Sequence, residues 1–134
     1  MDQYRGNRVA VILPCYNEAP AVASVVAGFR AALPEAAVYV FDNASTDGTA
    51  EVARTAGARV ITVTHRGKGN VVRRMFADVE ADIYLMADGD GTYDPGAARA
   101  MIDALLDGGL DMVVGCRASE ASGDAYRPGH RAGN

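Results

Sequence analysis

Five short runs of apolar, β-branched and aromatic residues punctuate the chain, at positions 9–13, 37–41, 59–63, 82–87 and 111–115. Each is almost continuously hydrophobic rather than alternating, the pattern of strands covered on both faces of a parallel sheet. The gaps between them carry a different period. Val22, Val25, Val26, Phe29 and Leu33 recur at helical spacing until Pro34 stops the turn. The span 47–56 opens among Ser45, Thr46 and Asp47, residues suited to capping, and closes at Gly57. Val71, Val72, Met75, Phe76 and Val79 make a third stripe, and Ala98, Met101, Ile102, Leu105 and Leu106 a fourth ahead of Gly108-Gly109. The order βαβαβαβαβ predicts an α/β fold: a mainly parallel, doubly wound sheet with helices on both faces.

Ligands of such sheets collect beyond the carboxyl ends of the strands. The segments there are 14–20, 42–48, 64–70, 88–95 and 116–134, and the polar and glycine-rich chemistry is concentrated in them. No strand or clear helix follows the last, so the sequence reads as stopping partway through a larger unit.

With 134 residues, 49% hydrophobic and 22% charged, the chain fits one globular domain able to close a core. The net charge of -4 argues against an electrostatic grip on nucleic acid, so an anionic ligand would need a metal or a local patch. Two cysteines, Cys15 and Cys116, are too few for a disulfide scaffold, and no leader opens the chain; a cytoplasmic address is expected. No apolar run approaches the roughly 20 residues of a transmembrane helix.

Asp88-Gly89-Asp90-Gly91-Thr92 follows the fourth strand, so two carboxylates emerge together where glycines let the backbone turn sharply. Such an oxygen cluster suits Mg²⁺ or Mn²⁺, which commonly takes one or two protein carboxylates plus substrate phosphates. On composition alone, a solvated acidic turn is an equal alternative. After the second strand, Asp42 and Asn43 offer hydrogen bonds to a base or ribose; Ser45, Thr46 and Asp47 read as caps, whereas Asp42 sits too early for one. After the first strand, Pro14-Cys15-Tyr16-Asn17-Glu18 presents a ring face and a carboxylate, with a plain loop capped by Asn17 as the alternative. A nucleophilic Cys15 is disfavoured, since only His65 and His130 exist and neither is paired with it by a local signature. The segment 65–70 matches neither a P-loop nor a dinucleotide fingerprint. It does place Lys68 at a helix amino terminus, where cation and amides together favour a phosphate, with a solvated lysine as the alternative. Arg73 and Arg74 read as surface residues. Arg117, Arg127, His130 and Arg131 make the closing segment locally basic, either an anion site or a tail with scattered charge.

Taken in order, Pro14-x-Tyr16-Asn17-Glu18, Asp42-Asn43-x-Ser45-x-Asp47-Gly48-Thr49, Gly67-Lys68-Gly69 and Asp88-x-Asp90-Gly91 resemble the family 2 glycosyltransferases of the GT-A fold. Tyr126-Arg127-Pro128-Gly129-His130-Arg131-x-Gly133-Asn134 is similar to members of the dolichyl-phosphate mannose synthase type. The resemblance runs from about Val9 to the last residue. It implies a nucleotide-sugar-binding GT-A core at 1–117 and the start of an acceptor-side segment at 118–134, with the C-terminal part lacking. It also implies a nucleoside-diphosphate sugar donor, a polyprenyl-phosphate acceptor at the inner face of a membrane, and a role in cell-envelope glycan biosynthesis. Pro14, Tyr16, Glu18, Asp42, Lys68, Asp88 and Gly89 would bind the nucleotide sugar, and Asp88 and Asp90 the Mg²⁺ or Mn²⁺. Asp90 and Arg117 would be catalytic, with Arg117 near the leaving phosphates; Arg127, His130 and Arg131 would engage donor or acceptor phosphate. Thr92 departs from the pattern, since related lipid-phosphate enzymes commonly place Gln there.

Members of that family invert the anomeric centre by direct displacement. A hydroxyl acceptor requires a general base, whereas a phosphate acceptor is already ionised near neutral pH. Only Glu120 and Asp124 follow Asp94 as base candidates in the closing segment, which favours the phosphate. Two other readings compete: a truncated or non-catalytic nucleotide-sugar-binding module, and a nucleotidyltransferase. The latter expects a basic, glycine-rich triphosphate loop after the first strand, and Pro14-Cys15-Tyr16-Asn17-Glu18 is not one.

Overall fold

A computed structural model describes residues 3–64 and 68–109, with the side chains of Lys68 and Gly69 outside the description. The expected strand at 111–115 and the segment 116–134 lie outside the described residues. Four parallel strands carry the fold: β2 (Asn7–Cys15), β3 (Ala37–Asp42), β4 (Arg59–Thr62) and β5 (Ile83–Met86). They are linked by α1 (Ala19–Ala32), α2 (Thr49–Ala56) and α3 (Lys68–Asp78). A short 3₁₀ turn at Pro95–Ala97 leads into α4 (Ala98–Asp107).

Ile12 pairs with Tyr39 on one side and Met86 on the other, so β2 is central. The parallel order is β5-β2-β3-β4. The chain winds outward through β3 and β4, then crosses back to lay β5 on the far side of β2. The order reverses between β2 and β5, and the carboxyl ends of the strands at such a reversal are where open α/β sheets bind ligands. Alternate residues of β2 face opposite layers, which is why its hydrophobicity is continuous. Val9, Val11, Leu13 and Cys15 pack with Val22, Val26 and Phe29 of α1, Ala53 of α2 and Ile102 of α4. Ala10 and Ile12 pack with Phe41, with Val71 and Met75 of α3, and with Val79 just after it. Helices therefore cover both faces, as the alternation predicts.

Three expectations need correction. The first strand does not end at Leu13 but continues through Pro14 and Cys15, paired with Phe41 and Asp42. Proline is tolerated there because its carbonyl accepts from Gly89 on the β5 side, so its hydrogen-less nitrogen also faces that side, past the end of β5. Asp42 likewise closes β3 instead of opening a loop. Phe76, placed in the buried stripe of α3, is 62% exposed; its ring stands edge-on to Tyr84 with centroids 5.0 Å apart. The chain also opens with a hairpin the apolar pattern does not signal. The two-residue β1 (Gln3–Tyr4) pairs antiparallel with the start of β2 around Arg5 and Gly6, both with positive φ, the geometry of a tight primed turn. The hairpin holds α4: the Tyr4 hydroxyl donates to Asp103 at 2.7 Å, and Arg5 pairs with Asp103 and Asp107.

Candidate functional site

Three segments meet at the reversal, those that leave β2, β3 and β5. The first two are fastened to each other by side chains. Asn17 has φ of 52°, a left-handed conformation asparagine tolerates. Its amide N–H donates to Ser45 Oγ at 2.8 Å, and its Oδ1 accepts from Thr46 N at 2.9 Å. Glu18 N donates to Thr49 Oγ1 at 3.0 Å. Asp47 serves two helices: Oδ2 accepts from Ala19 N, the first residue of α1, and Oδ1 from Thr49 N, the first of α2, both at 3.1 Å. The Thr49 hydroxyl also donates to Asp47, and hydrogen bonding to Thr49 holds the Asp47 carboxyl below its ordinary range.

Asn17 therefore does not cap α1, contrary to the plain-loop alternative. The Ala19 amide that opens α1 and the Glu18 amide before it are satisfied instead by Asp47 and by Thr49 at the start of α2. Asp47 caps as expected, but for two helices. This cross-loop latch is absent from the sequence-based site. The only signal for it is a set of short polar residues in both segments.

The latch fixes Glu18 and Asp42 relative to each other. Asp42 is only 5% exposed and accepts from Ser45 N at 3.3 Å. Part of its role is thus to shape the turn. Tyr16, at the head of the first segment, is 42% exposed.

The turn after β5 comes down onto β2: Ala87 N donates to Ile12 O at 3.1 Å and Gly89 N to Pro14 O at 3.4 Å. Gly89 has room for no side chain, because an added Cβ would stand 2.2 Å from Cys15 Sγ. Gly91 has φ of 85°, which any side chain would strain. Asp88 is half-buried and Asp90 exposed. Asp90 Oδ1 accepts from Thr92 N at 3.0 Å and from Thr92 Oγ1 at 2.7 Å. Asp90 and Thr92 thus close a turn of the kind the acidic-turn alternative expects.

Electrostatics show how closely these groups converge. Burial, followed by the negative fields of Glu18, Asp42, Asp88 and Asp90, pushes the Cys15 thiol up to about 12. It is protonated at neutral pH, which removes it as a nucleophile. Burial, then Asp90, Asp88 and Asp47, also raises the Glu18 carboxyl above its usual range. Like charges gathered at one place are an unfavourable arrangement that a cation would relieve. The donor set fits a hard ion: two carboxylates on one turn, with phosphate and water oxygens to complete the shell. Among the described residues, no group of three or more Asp, Glu, His or Cys could hold a metal.

Pro14, Tyr16, Glu18, Asp42, Asp88, Gly89 and Asp90 thus lie in segments that meet at this reversal. Helix α3 begins at Lys68 as its spacing suggests, while the Lys68 side chain, His65, Arg117, Arg127, His130 and Arg131 lie outside the described residues. Arg74 pairs with Asp78 on the surface, as expected. A cavity of about 530 Å³ lined by Arg30, Pro34, Glu35, Gly57 and Arg59 lies at the other end of the sheet, by the first residues of β3 and β4. Arg30 there donates to Ala56 O and closes the end of α2, a structural task.

Comparison with known proteins gives the family. The model of the family described as glycosyl transferase family 2 matches residues 10–132. The chain is 57% identical over 128 residues to Protein RfbJ of Shigella flexneri, across 96% of this chain and 99% of that protein. It is 41% identical over 127 residues to glycosyltransferase AglJ of Haloferax volcanii, across 94% of this chain and 41% of that protein. It is 32% identical over 134 residues to a dolichyl-phosphate hexose transferase of the same organism, across 100% of this chain and 58% of that protein. Among solved structures it is similar to glucosyl-3-phosphoglycerate synthase of Mycobacterium tuberculosis in complex with Mn²⁺, UDP-glucose and phosphoglyceric acid. There the TM-score is 0.68 and the identity 26%, across 78% of this chain and 41% of that one. The chain thus spans about half the length of several relatives and nearly all of RfbJ. The expectation that a C-terminal part is lacking finds no support in that last comparison.

Proposed function

The chain belongs to glycosyl transferase family 2, and on that premise we propose that it moves a hexosyl group from a nucleoside-diphosphate sugar to a polyprenyl phosphate, with inversion. The observation that carries the reading is the placement of Asp88-Gly89-Asp90 at the sheet's reversal point, against Cys15, with its charge felt by Glu18. Asp88 and Asp90 would hold Mg²⁺ or Mn²⁺, which supplies Lewis-acid stabilisation of the charge on the departing diphosphate. Use of a divalent ion and a nucleoside-diphosphate sugar is supported by the Mn²⁺ and UDP-glucose named in the complex of the solved relative.

The remaining work falls to the chain's own groups. Glu18 and Asp42, fixed by the latch, would accept hydrogen bonds from the nucleoside, beside Pro14, Tyr16 and the backbone of Gly89. Lys68, at the start of α3, would face base or ribose. Arg117 would lie near the leaving phosphates, and Arg127, His130 and Arg131 at donor or acceptor phosphate. The acceptor oxygen forms its bond to the anomeric carbon as the bond to the diphosphate breaks, and the nucleoside diphosphate leaves as an anion.

The phosphate acceptor is supported by the similarity to the dolichyl-phosphate hexose transferase. It is supported also by the acids that follow Asp90 among the described residues. Asp94 accepts from Gly96 N at 2.9 Å, and Asp103 and Asp107 pair with Arg5. None is spare as a general base, and an ionised phosphate needs none. No described helix is long and apolar enough to cross a membrane, and the proposed acceptor would be met at a membrane's inner face.

Incubation with labelled nucleoside-diphosphate hexoses, polyprenyl phosphate and Mn²⁺ tests this. Label passing into the lipid phase, and blocked by EDTA, is the expected result. Nucleotide binding without transfer to any acceptor would instead identify a non-catalytic binding module.

A further inference from the structure

We propose that Cys15 is a positioning residue of the donor site, its sulfur forming the floor on which the Asp88-Gly89-Asp90 turn rests and setting where the two carboxylates stand relative to Glu18 and Asp42. This rests on the reading of that turn as the place where cation and diphosphate bind.

Cys15 is the last residue of β2 and only 2% exposed. Its strand neighbour β5 pairs with β2 as far as Ile12 opposite Met86. Beyond that point the turn meets β2 through the long bond from Gly89 N to Pro14 O, 3.4 Å, and through the contact of Gly89 with the Cys15 sulfur. An added Cβ at Gly89 would lie 2.2 Å from Sγ but 3.6 Å from both Cys15 Cβ and Pro14 O. The sulfur is therefore the atom that leaves no room for a side chain at 89, and the strand beneath it would accept one once the sulfur is gone. Position 15 also leads directly into Tyr16-Asn17-Glu18, so one residue sets the spacing between the nucleoside-side segment and the acidic turn. Groups behind metal ligands act in this way, by fixing the ligands' position rather than by touching the ion.

The geometry makes a reciprocal prediction. Cys15→Ala lowers the turn onto an empty space, Gly89→Ala lifts it off the sulfur, and the double variant Cys15→Ala/Gly89→Ala exchanges one volume for the other. We would measure, by calorimetry, the Mn²⁺ concentration giving half-maximal binding of UDP and of GDP, and alongside it the melting temperature. Each single variant should raise that concentration by about 10- to 100-fold, the range seen when second-layer support of a metal is removed. The double variant should recover most of what Gly89→Ala loses, a non-additivity expected only of groups in direct contact.

Two results overturn the proposal: a Cys15→Ala protein that melts earlier yet keeps the wild-type Mn²⁺ dependence, or a folded double variant no better than Gly89→Ala. If Gly89→Ala alone does not fold, Cys15→Ala and the double variant still decide between these outcomes. Wild-type protein that binds neither nucleotide with Mn²⁺ would overturn the reading of the turn itself, and this inference with it.

Discussion

Asp47 lies in the loop after β3 and Ala19 opens α1, yet a carboxylate oxygen of the first accepts the amide hydrogen of the second at 3.1 Å, while its other oxygen binds Thr49. A single side chain thereby joins the amino ends of α1 and α2 and holds the loops that carry Glu18 and Asp42 as one body. Because hydrogen bonds favour its ionised form, the Asp47 carboxyl is depressed in the folded state. It therefore contributes stability above the ordinary carboxylate pKa of about 3.9, and that stability is lost as pH falls through the lower folded value. Asp47→Asn should melt earlier than wild type at pH 7, and the gap should close as the pH is taken below about 4. A gap that persists unchanged in acid would show that charge on Asp47 is immaterial.

Glu18 has the opposite sign. Its carboxyl is raised by burial and by Asp90, Asp88 and Asp47, so its stabilising contribution is present below the ordinary value and lost as pH rises through the folded one. Ionised Glu18 thus works against the fold at neutral pH. Glu18→Gln is expected to melt at or above the wild-type temperature without ligand while binding nucleotide more weakly, a trade of function for stability. Loss of both together would place Glu18 in the framework instead.

Thr92 makes two bonds to Asp90 Oδ1. Thr92→Ala keeps the backbone bond and loses the hydroxyl, so Asp90 becomes less well oriented. The Mn²⁺ needed for nucleotide binding should rise by about tenfold, with little change in melting temperature. An unchanged Mn²⁺ requirement would remove Thr92 from the site.

Phe29 is fully buried in α1 and stacks on Tyr93, just past the acidic turn, with ring centroids 6.0 Å apart. Phe29→Ala should cost about 3–5 kcal/mol, a large share of the roughly 5–15 kcal/mol that holds a domain folded. Denaturant titration measures it; a loss under 1 kcal/mol would mean the core refills around the cavity.

The fold was legible because β2 is sandwiched: Val9 to Leu13 must be apolar at every position when α1 and α3 cover opposite faces. Phe76 shows the limit of that logic, since an apolar residue at helical spacing can also stand at the surface against Tyr84. The hairpin at Arg5-Gly6 escaped because two residues are too short to show a period. At the site, each loop's chemistry could be read locally from its carboxylates and glycines. What joins the loops could not: Asn17 with Ser45 and Thr46, or Cys15 with Gly89, are contacts between distant residues whose pairing exists only once β2, β3 and β5 lie side by side.

The central claim is that the Asp88-Gly89-Asp90 turn binds donor diphosphate through a divalent ion, and the melting temperature with and without Mn²⁺ and UDP or GDP tests it most directly. A ligand at a hundred times its dissociation constant stabilises the folded state by about 2.7 kcal/mol, which for a domain of this size raises the melting temperature by on the order of 10 °C. The wild-type protein should show that rise with the matching nucleotide only when Mn²⁺ is present, and Asp88→Asn/Asp90→Asn should not show it. An equal rise in the double variant would contradict the assignment of the ion to these two carboxylates.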